Sequence, residues 1–269
     1  EKRNEGGDGM LTRFQVQLDG IDLHQLDENV YIIDVTEEAP SPIIRTGGTT
    51  RPFGSHVIDI RRDMLRVLVT CEVHEYDVTR RAEIIGKLAA WAQGRMLTVN
   101  YRPGRRLRVV CENEPSVSSA LRWTDRITMR FVAHEVPFWE AVQPVQAVAS
   151  GASGECELYV PGTAESVVME CSFTAQSAVD TIEVTTPQSR MKLTGLGMAS
   201  GDTLQVRYGD KGWQEIAIEN AAGERRSALA CRLGESGDDL LLVPQKAQRV
   251  AYSADGAVLA TFTARGLYA

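Results

Sequence analysis

Four histidines, five cysteines and a scatter of serines, glycines and carboxylates are the residues of this chain that could carry chemistry. Their spacing argues against most of it. His74-Glu75 and His134-Glu135 each set a base beside a carboxylate, but neither extends to H-E-x-x-H. Both follow strand-like runs, in which neighbouring residues point to opposite faces. His24 and His56 stand alone. Cys71, Cys111, Cys156, Cys171 and Cys231 form an odd set without a C-x-x-C pair, which speaks against a structural zinc and against a disulfide framework, so most are expected as buried free thiols. A nucleophile elbow needs G-x-S-x-G between a strand and a helix. Gly151-Ala-Ser-Gly154 and Gly234-Glu-Ser-Gly237 lack that spacing and read as turns. Gly195-Leu-Gly197 begins like a dinucleotide fingerprint, yet the chain continues from Gly201-Asp202 into a strand where the motif requires a helix, so a hairpin loop is the reading. Asp238 and Asp239 are adjacent and on a strand would face apart, which suits no paired-carboxylate hydrolysis. The expectation is a chain with no catalytic residues, no cofactor and no metal.

Two features could serve binding instead. Arg102, Arg105 and Arg106 crowd one predicted hairpin tip, a candidate interface for an acidic partner or phosphate, or else a solvated turn that keeps the hairpin soluble. Phe138 and Trp139, beside Pro137, are read as aromatics packed at a domain junction. Trp123 and Trp213 are read as core or domain-face residues, although an aromatic on a β-sandwich face is also how sugar rings are held. The net charge is −7; residues 10–140 carry 17 basic against 18 acidic residues and residues 141–269 carry 10 against 15, so neither region offers the excess that a phosphate backbone requires, and no specific nucleic-acid partner is expected. Of 29 basic residues only five are lysine. That arginine bias suits protein interfaces, and codon bias in a GC-rich genome accounts for it equally well.

Leu11–Leu18 alternates apolar and polar residues into an Asp19-Gly20 turn, and Tyr31–Val35 is a second strand. Glu37–Gly54, punctuated by Pro40, Pro42, Gly47, Gly48 and Pro52, predicts an irregular loop. His56–Ile60 and Leu65–Val73 are read as a pair of strands joined near Arg62-Asp63. One helix is predicted at Thr79–Gln93. Asp77 and Thr79 supply cap chemistry, Gly94 is a stop, and Ile84, Ile85, Leu88, Trp91 and Ala92 form a buried stripe that leaves Arg80, Arg81 and Lys87 wet. A hairpin around Pro103-Gly104 and a strand at Arg126–Ala133 close the first half. Short strand-like runs then recur at intervals of about ten residues, the pattern of a β-sandwich. The expected boundaries are a flexible tail at 1–9, a β-rich domain with one helix at 10–140, an uncharged linker at 141–154 and a sandwich at 155–269. No run approaches the roughly 18 apolar residues of a spanning helix, and Glu1–Gly9 does not look like a signal peptide, so synthesis and folding in a cytoplasm are expected.

The succession of Val57–Val73 strands, the helix carrying Arg81-Ala-Glu-Ile-Ile-Gly-Lys-Leu-Ala-Ala-Trp91, Leu97-Thr-Val-Asn-Tyr-Arg-Pro-Gly-Arg-Arg-Leu107 and Pro137-Phe-Trp-Glu140 resembles the distal tail (Dit) proteins of phages with long non-contractile tails. Gly201–Val206, Asp238–Pro244 and Ala260–Tyr268 resemble their closing segment. The chain departs at Pro244-Gln245-Lys246, where many relatives have Pro-Gly-x-Asn. The resemblance implies a mainly β fold, an N-terminal β-rich domain with one packed α-helix and a C-terminal galectin-like β-sandwich. It also implies a structural virion protein, assembled in the bacterial cytoplasm, whose first domain forms a hexameric ring joining tail tube to tail tip. Partners would then be further copies, tail-tube and tail-tip proteins and, through the sandwich, host-surface carbohydrate. Two other readings fit the residues: a carbohydrate-binding or adhesin-like module, against which the lack of a signal peptide and disulfides weighs, and a hydrolase using scattered carboxylates of the sandwich.

Overall fold

A computed structural model describes residues 14–48, 55–113, 115, 124–208, 214–234 and 239–269. The tail at 1–9, the start of the first predicted strand, Trp123, Trp213 and Asp238 lie outside them. The chain divides into two compact units between Pro137 and Phe138, each built almost wholly of antiparallel strands.

The first unit contains β1 (Val16–Leu18), β2 (Ile21–Asp22), β3 (Val30–Glu38), β4 (Pro42–Gly48), β5 (Ser55–Arg62), β6 (Leu65–His74), α1 (Val78–Trp91), β7 (Met96–Val99), β8 (Arg105–Arg108), β9 (Val110–Cys111) and β10 (Thr124–Ala133). One sheet runs β3-β6-β10-β9 and another places β2, β1, β7 and β8 side by side. β6 shows why the sequence folds this way: Leu65, Val67, Val69, Cys71 and Val73 are buried while the intervening residues are half-exposed, the period of two that turns every second side chain inward. Burying each such Val or Leu favours folding by about 1.5–3 kcal/mol. The turn between β1 and β2 has Asp19 at φ 51° and Gly20 at φ 82°, the left-handed pair that a two-residue hairpin requires.

Among the described residues α1 is the one α-helix. Asp77 caps it, its Oδ1 accepting from the Thr79 N–H at 2.8 Å, and Ile84, Ile85, Leu88 and Trp91 are buried as their spacing requires. The last of these joins the helix to both sheets: Trp91 stacks edge-on against Phe131 of β10 at 5.8 Å and donates its indole N–H to the Ile21 carbonyl of β2 at 2.8 Å. Arg81 corrects the sequence reading. It is fully buried, with Nη1 donating to the Glu75 carbonyl at 3.2 Å, so its stem belongs to the apolar stripe although its head is charged.

A second correction concerns 37–54. β3 extends to Glu38, and β4 forms a ladder with β5 from Pro42↔Arg62 to Gly48↔Ser55. Proline sits at the first position of the strand, where a missing N–H is tolerated. Among the described residues this ribbon is a two-stranded sheet of its own, hydrogen-bonded to no other strand.

The second unit comprises β11 (Trp139–Ala141), β12 (Val145–Tyr159), β13 (Val167–Ala175), β14 (Val179–Thr185), β15 (Arg190–Met198), β16 (Thr203–Tyr208), β17 (Gln214–Glu219), β18 (Arg225–Ser227), β19 (Leu241–Leu242), β20 (Ala247–Ala264) and β21 (Leu267–Tyr268). It is the expected β-sandwich, but its frame is two long strands that the sequence reading broke up. β12 pairs with β20 along nearly its whole length. On the other side of β20, residues 251–254 meet β14 and residues 258–264 meet β13. The pair therefore belongs to both layers and turns the corner between them, the first layer continuing to β15 and the second through β16 and β17 to β18. Such corners need bulges or glycines. The register shifts at Gly151/Ser153 of β12, where residues 254–257 of β20 drop out of the ladder and Gly151 has φ 121°. The segment 141–154 is thus mostly strand and no linker, and Gly151–Gly154 lies within β12 at the register shift. Gly195 and Gly197 lie within β15 at φ 74° and 53°, a kinked strand where a loop was expected. Phe173, Tyr252 and Phe262 meet pairwise at 5.8–6.0 Å in the core between the layers. At Gln245, where relatives are expected to carry glycine, the backbone keeps φ 61°; the Gln245 amide holds that conformation by donating to the Gly162 carbonyl at 2.7 Å.

Candidate functional site

The residues singled out for chemistry are bound up in the fold. His74 Nε2 donates to Glu72 Oε2 at 3.1 Å and the ring lies against Tyr31 at 4.8 Å; His134 approaches Glu112 at 3.8 Å; the His24 ring lies 3.4 and 3.3 Å from the carbonyls of Val30 and Phe14. His56 lies in β5. No cluster of three or more potential metal ligands occurs among the described residues. No cysteine is in a disulfide; Cys71 and Cys171 are buried and Cys111, Cys156 and Cys231 are partly so. Burial pushes the Cys71 thiol up to about 12, with Glu72 adding to the rise, and burial raises Cys171 and Cys156 as well. Thiols held protonated in this way are poor nucleophiles.

The arginine tip is less open than its sequence suggests. Arg102 forks onto Glu37, Nη2 donating to Oε1 at 2.8 Å and Nε to Oε2 at 3.2 Å, which ties the hairpin to β3. Arg105 and Arg106 are half-buried. Phe138 is half-buried and Trp139 fully buried, the latter on β11 opposite Tyr268. Asp239 accepts from the Tyr208 hydroxyl at 2.6 Å, that oxygen accepts from Gln214 at 3.2 Å, and Arg232 donates to Gln214 at 2.7 Å. This polar chain at the ends of β16 and β17 was not legible in the sequence, and its members satisfy one another.

Another charged cluster anchors the helix. The Asp27 carboxylate, with only 3% of its side chain exposed, receives Arg80 at 2.8 Å and Lys87 at 3.1 Å. Burial raises its pKa, but the Lys87 hydrogen bond, the Asn29 N–H and the two cations outweigh it and hold the group below its usual 3.8. A depressed carboxylate stabilises the fold above the unfolded pKa and loses that contribution as pH falls through the folded one. The stability of the first unit should therefore fall as pH drops below about 3.8, and Asp27→Asn should flatten that part of the profile; denaturant titrations across the acid range check it, and an unchanged profile in the variant would remove Asp27 from the account.

What the structure exposes and the sequence concealed is the β4–β5 ribbon. Ile43, Ile44, Val57 and Ile58 are 54, 56, 47 and 59% exposed. Consecutive strand residues point to opposite faces, so Ile43 and Ile44 place an aliphatic side chain on either side of the ribbon, and Val57 and Ile58 stand at its bulge opposite Thr46. Exposed apolar patches of this kind mark interaction surfaces. A groove of about 230 Å³ also lies at the end of α1, bordered by Ala89, Ala92, Gly94, Val110 and Cys111.

Neither a protein-family model nor a curated protein matches the chain. Among solved structures it is similar to the Dit protein (gp 19.1) of phage SPP1, described as a paradigm of the hub adsorption apparatus in phages infecting Gram-positive hosts: 14% identity, 93% of this chain and 98% of that chain covered, TM-score 0.66. A looser similarity links it to a chain of the phage P2 baseplate in its activated conformation, at 6% identity, 90% and 97% coverage and TM-score 0.44. The likeness to the SPP1 protein runs through both units, and the fold is that of a Dit protein. No helix among the described residues is long and apolar enough to cross a membrane.

Proposed function

We propose that the chain is a structural component of a phage or prophage tail, a distal-tail or baseplate protein whose first unit closes into a ring between tail tube and tail tip. The observation that carries this reading is a fold correspondence with the SPP1 hub protein over 93% of the chain. Ring closure is supported by the ribbon. A closed ring requires a heterologous interface, in which each copy offers two different surfaces, and a ribbon with aliphatic side chains on both faces cannot bury them by lying on a single surface of its own chain. Inserted between two neighbours it can. Six copies are what the Dit resemblance implies, and the near balance of 17 basic and 18 acidic residues in 10–140 lets neighbours approach without net repulsion. The remaining partners are tail-tube and tail-tip proteins, the location is the virion, and assembly takes place in the host cytoplasm. Nothing in this role calls for catalysis.

Electron microscopy of the chain at high concentration, alone and with neighbouring tail proteins, tests the reading. Closed rings are expected; a monomeric native mass with no rings under either condition would end the tail-protein assignment.

A further inference from the structure

Charge changes sign along the first unit. From Asp19 to Ile44 the chain carries seven carboxylates and neither lysine nor arginine, whereas from Arg45 to Arg62 it carries four arginines and one aspartate. Most of those carboxylates are used within the chain. Asp19 accepts from the N–H groups of Arg95 and Met96 at 3.0 and 2.8 Å, Asp22 from that of His24 at 2.9 Å, Asp27 takes Arg80 and Lys87, and Glu37 takes Arg102. Asp34 and Glu38 of β3 remain, with Glu28 ahead of the strand. Both are exposed. Asp34 accepts from the Thr36 hydroxyl at 2.7 Å, and Arg66, across the ladder from Glu38, turns to Asp63 at 3.4 Å; among the described residues no cation pairs with either carboxylate. Apolar residues stand beside them. β3 is an outer strand of its sheet, a register shift leaves Ile33 out of the ladder, and Tyr31 and Ile33 are 37 and 42% exposed.

The ribbon is the counterpart in both respects. Its ladder strands, 42–48 and 55–62, contain three arginines and one aspartate, a net charge of +2. Arg45 and Arg62 are exposed, and among the described residues no carboxylate pairs with either. Arg45 shares one face with Ile43, and Arg62, across from Pro42, shares the other with Ile44. Either face therefore presents an isoleucine together with an arginine. No other described element of the chain packs extensively on the ribbon.

We propose that the ribbon of one copy lies along β3 of the next, its isoleucine against Tyr31 and Ile33 and its arginine against Asp34 and Glu38. This rests on the ring reading above and adds the surface that receives the ribbon. Left in water these charges need no partner. Covered by an apolar neighbour they would, because a desolvated charge without its counter-charge is costly. Whatever covers the ribbon must bring carboxylates set among apolar side chains, and β3 of a second copy does. The contact is heterologous: each copy gives a ribbon and receives one, so all copies face the same way round the ring. The register shift at Ile33 opposes simple extension of the sheet, so the contact is one of side chains.

Two charge-reversed full-length chains test it, by native mass spectrometry and electron microscopy under the conditions in which wild type forms rings. Asp34→Arg with Glu38→Arg makes β3 basic, and Arg45→Asp with Arg62→Asp turns the ribbon from +2 to −2. Either chain alone sets like charges together at every contact and should need more than about tenfold the wild-type concentration to assemble. Mixed in equal amounts they should form rings of alternating composition. The basic ribbon of the first then meets the acidic β3 of the second, and the acidic ribbon of the second meets the basic β3 of the first. That recovery also shows that both chains fold. Should either misfold, Asp34→Asn with Glu38→Gln gives a second measurement: wild-type assembly should weaken as salt rises, and the neutral variant should flatten that dependence. Variants that assemble alone as wild type does, folded variants that fail to recover on mixing, or a neutral variant with the wild-type salt dependence would each overturn β3 as the receiving surface and leave the ring reading standing. A wild-type chain that is monomeric at every concentration, alone and with neighbouring tail proteins, would overturn both.

Discussion

Trp91→Ala is expected to destabilise the first unit by about 3–5 kcal/mol, the range for removing a large aromatic from a packed core. The indole is 6% exposed and sits where α1 meets strands of two different sheets, against Phe131 at 5.8 Å and under the Ile21 carbonyl at 2.8 Å. Alanine would leave a cavity bounded by rigid strands, which can collapse only partially. The lost hydrogen bond adds less, about 1 kcal/mol, because Ile21 is half-exposed and water can take its carbonyl. Trp91→Phe separates the two contributions: it keeps most of the packing and should recover most of the loss. Denaturant midpoints followed by far-UV circular dichroism measure both variants, and a midpoint for Trp91→Ala equal to wild type would mean that this face of the helix is not the one holding the unit together.

That helix was legible because its information is local. A cap at Asp77 and apolar residues at intervals of three and four specify both its start and its buried face, whatever it packs against. Arg81 was missed because residue type was taken for position: it lies within the apolar stripe, and only the Glu75 carbonyl, a contact across the cap, shows how its charge is accommodated. The ribbon was missed for a related reason. Proline and glycine were read as breaks, but Pro42 begins a strand and Gly47 and Gly48 end it, and no local signal says that β5 pairs back to β4 and leaves β6 to another sheet. Exposure is harder still. Ile43, Ile44, Val57 and Ile58 read as core residues by type; that they face outward depends on what the rest of the chain does not cover. The arginine tip differs again: its cluster is plain in the sequence, but that Arg102 forks onto Glu37, 65 residues away, is not. The two-domain β character was a matter of pattern and could be read; the candidate surfaces depend on partners distant in sequence and could not.

The corner of the second unit puts the same distinction to a quantitative test. The sequence offers only short strand-like runs here, whereas β20 is one strand from Ala247 to Ala264 that crosses from one layer to the other over 254–257, residues its ladder with β12 leaves out. Three interactions hold the crossing in place: Asp255 Oδ1 accepts from the N–H groups of Asp180 and Thr181 at 3.0 and 3.1 Å, and Ser177 Oγ accepts from the Ala257 N–H at 2.8 Å. They draw the segment 177–181 so close that a Cβ at Gly256 would lie 2.2 Å from the Ala178 carbonyl oxygen and 2.7 Å from Ser177 Oγ. The glycine is needed here for space, since its backbone conformation is one that other residues adopt. Backbone oxygen cannot move aside by changing rotamer, so Gly256→Ala must lever the two segments apart and loosen all three hydrogen bonds. The expected loss lies at or above the upper end of the roughly 1–3 kcal/mol typical of overpacking. The same substitution at Gly86, in the middle of α1 with nothing within 4 Å of a new Cβ, should instead stabilise by about 0.5–1 kcal/mol through reduced freedom of the unfolded chain. Thermal unfolding of the two variants side by side gives the measurement. Opposite signs are expected, and a Gly256→Ala chain as stable as wild type would show that β20 yields at this point and is not pinned as one strand through both layers.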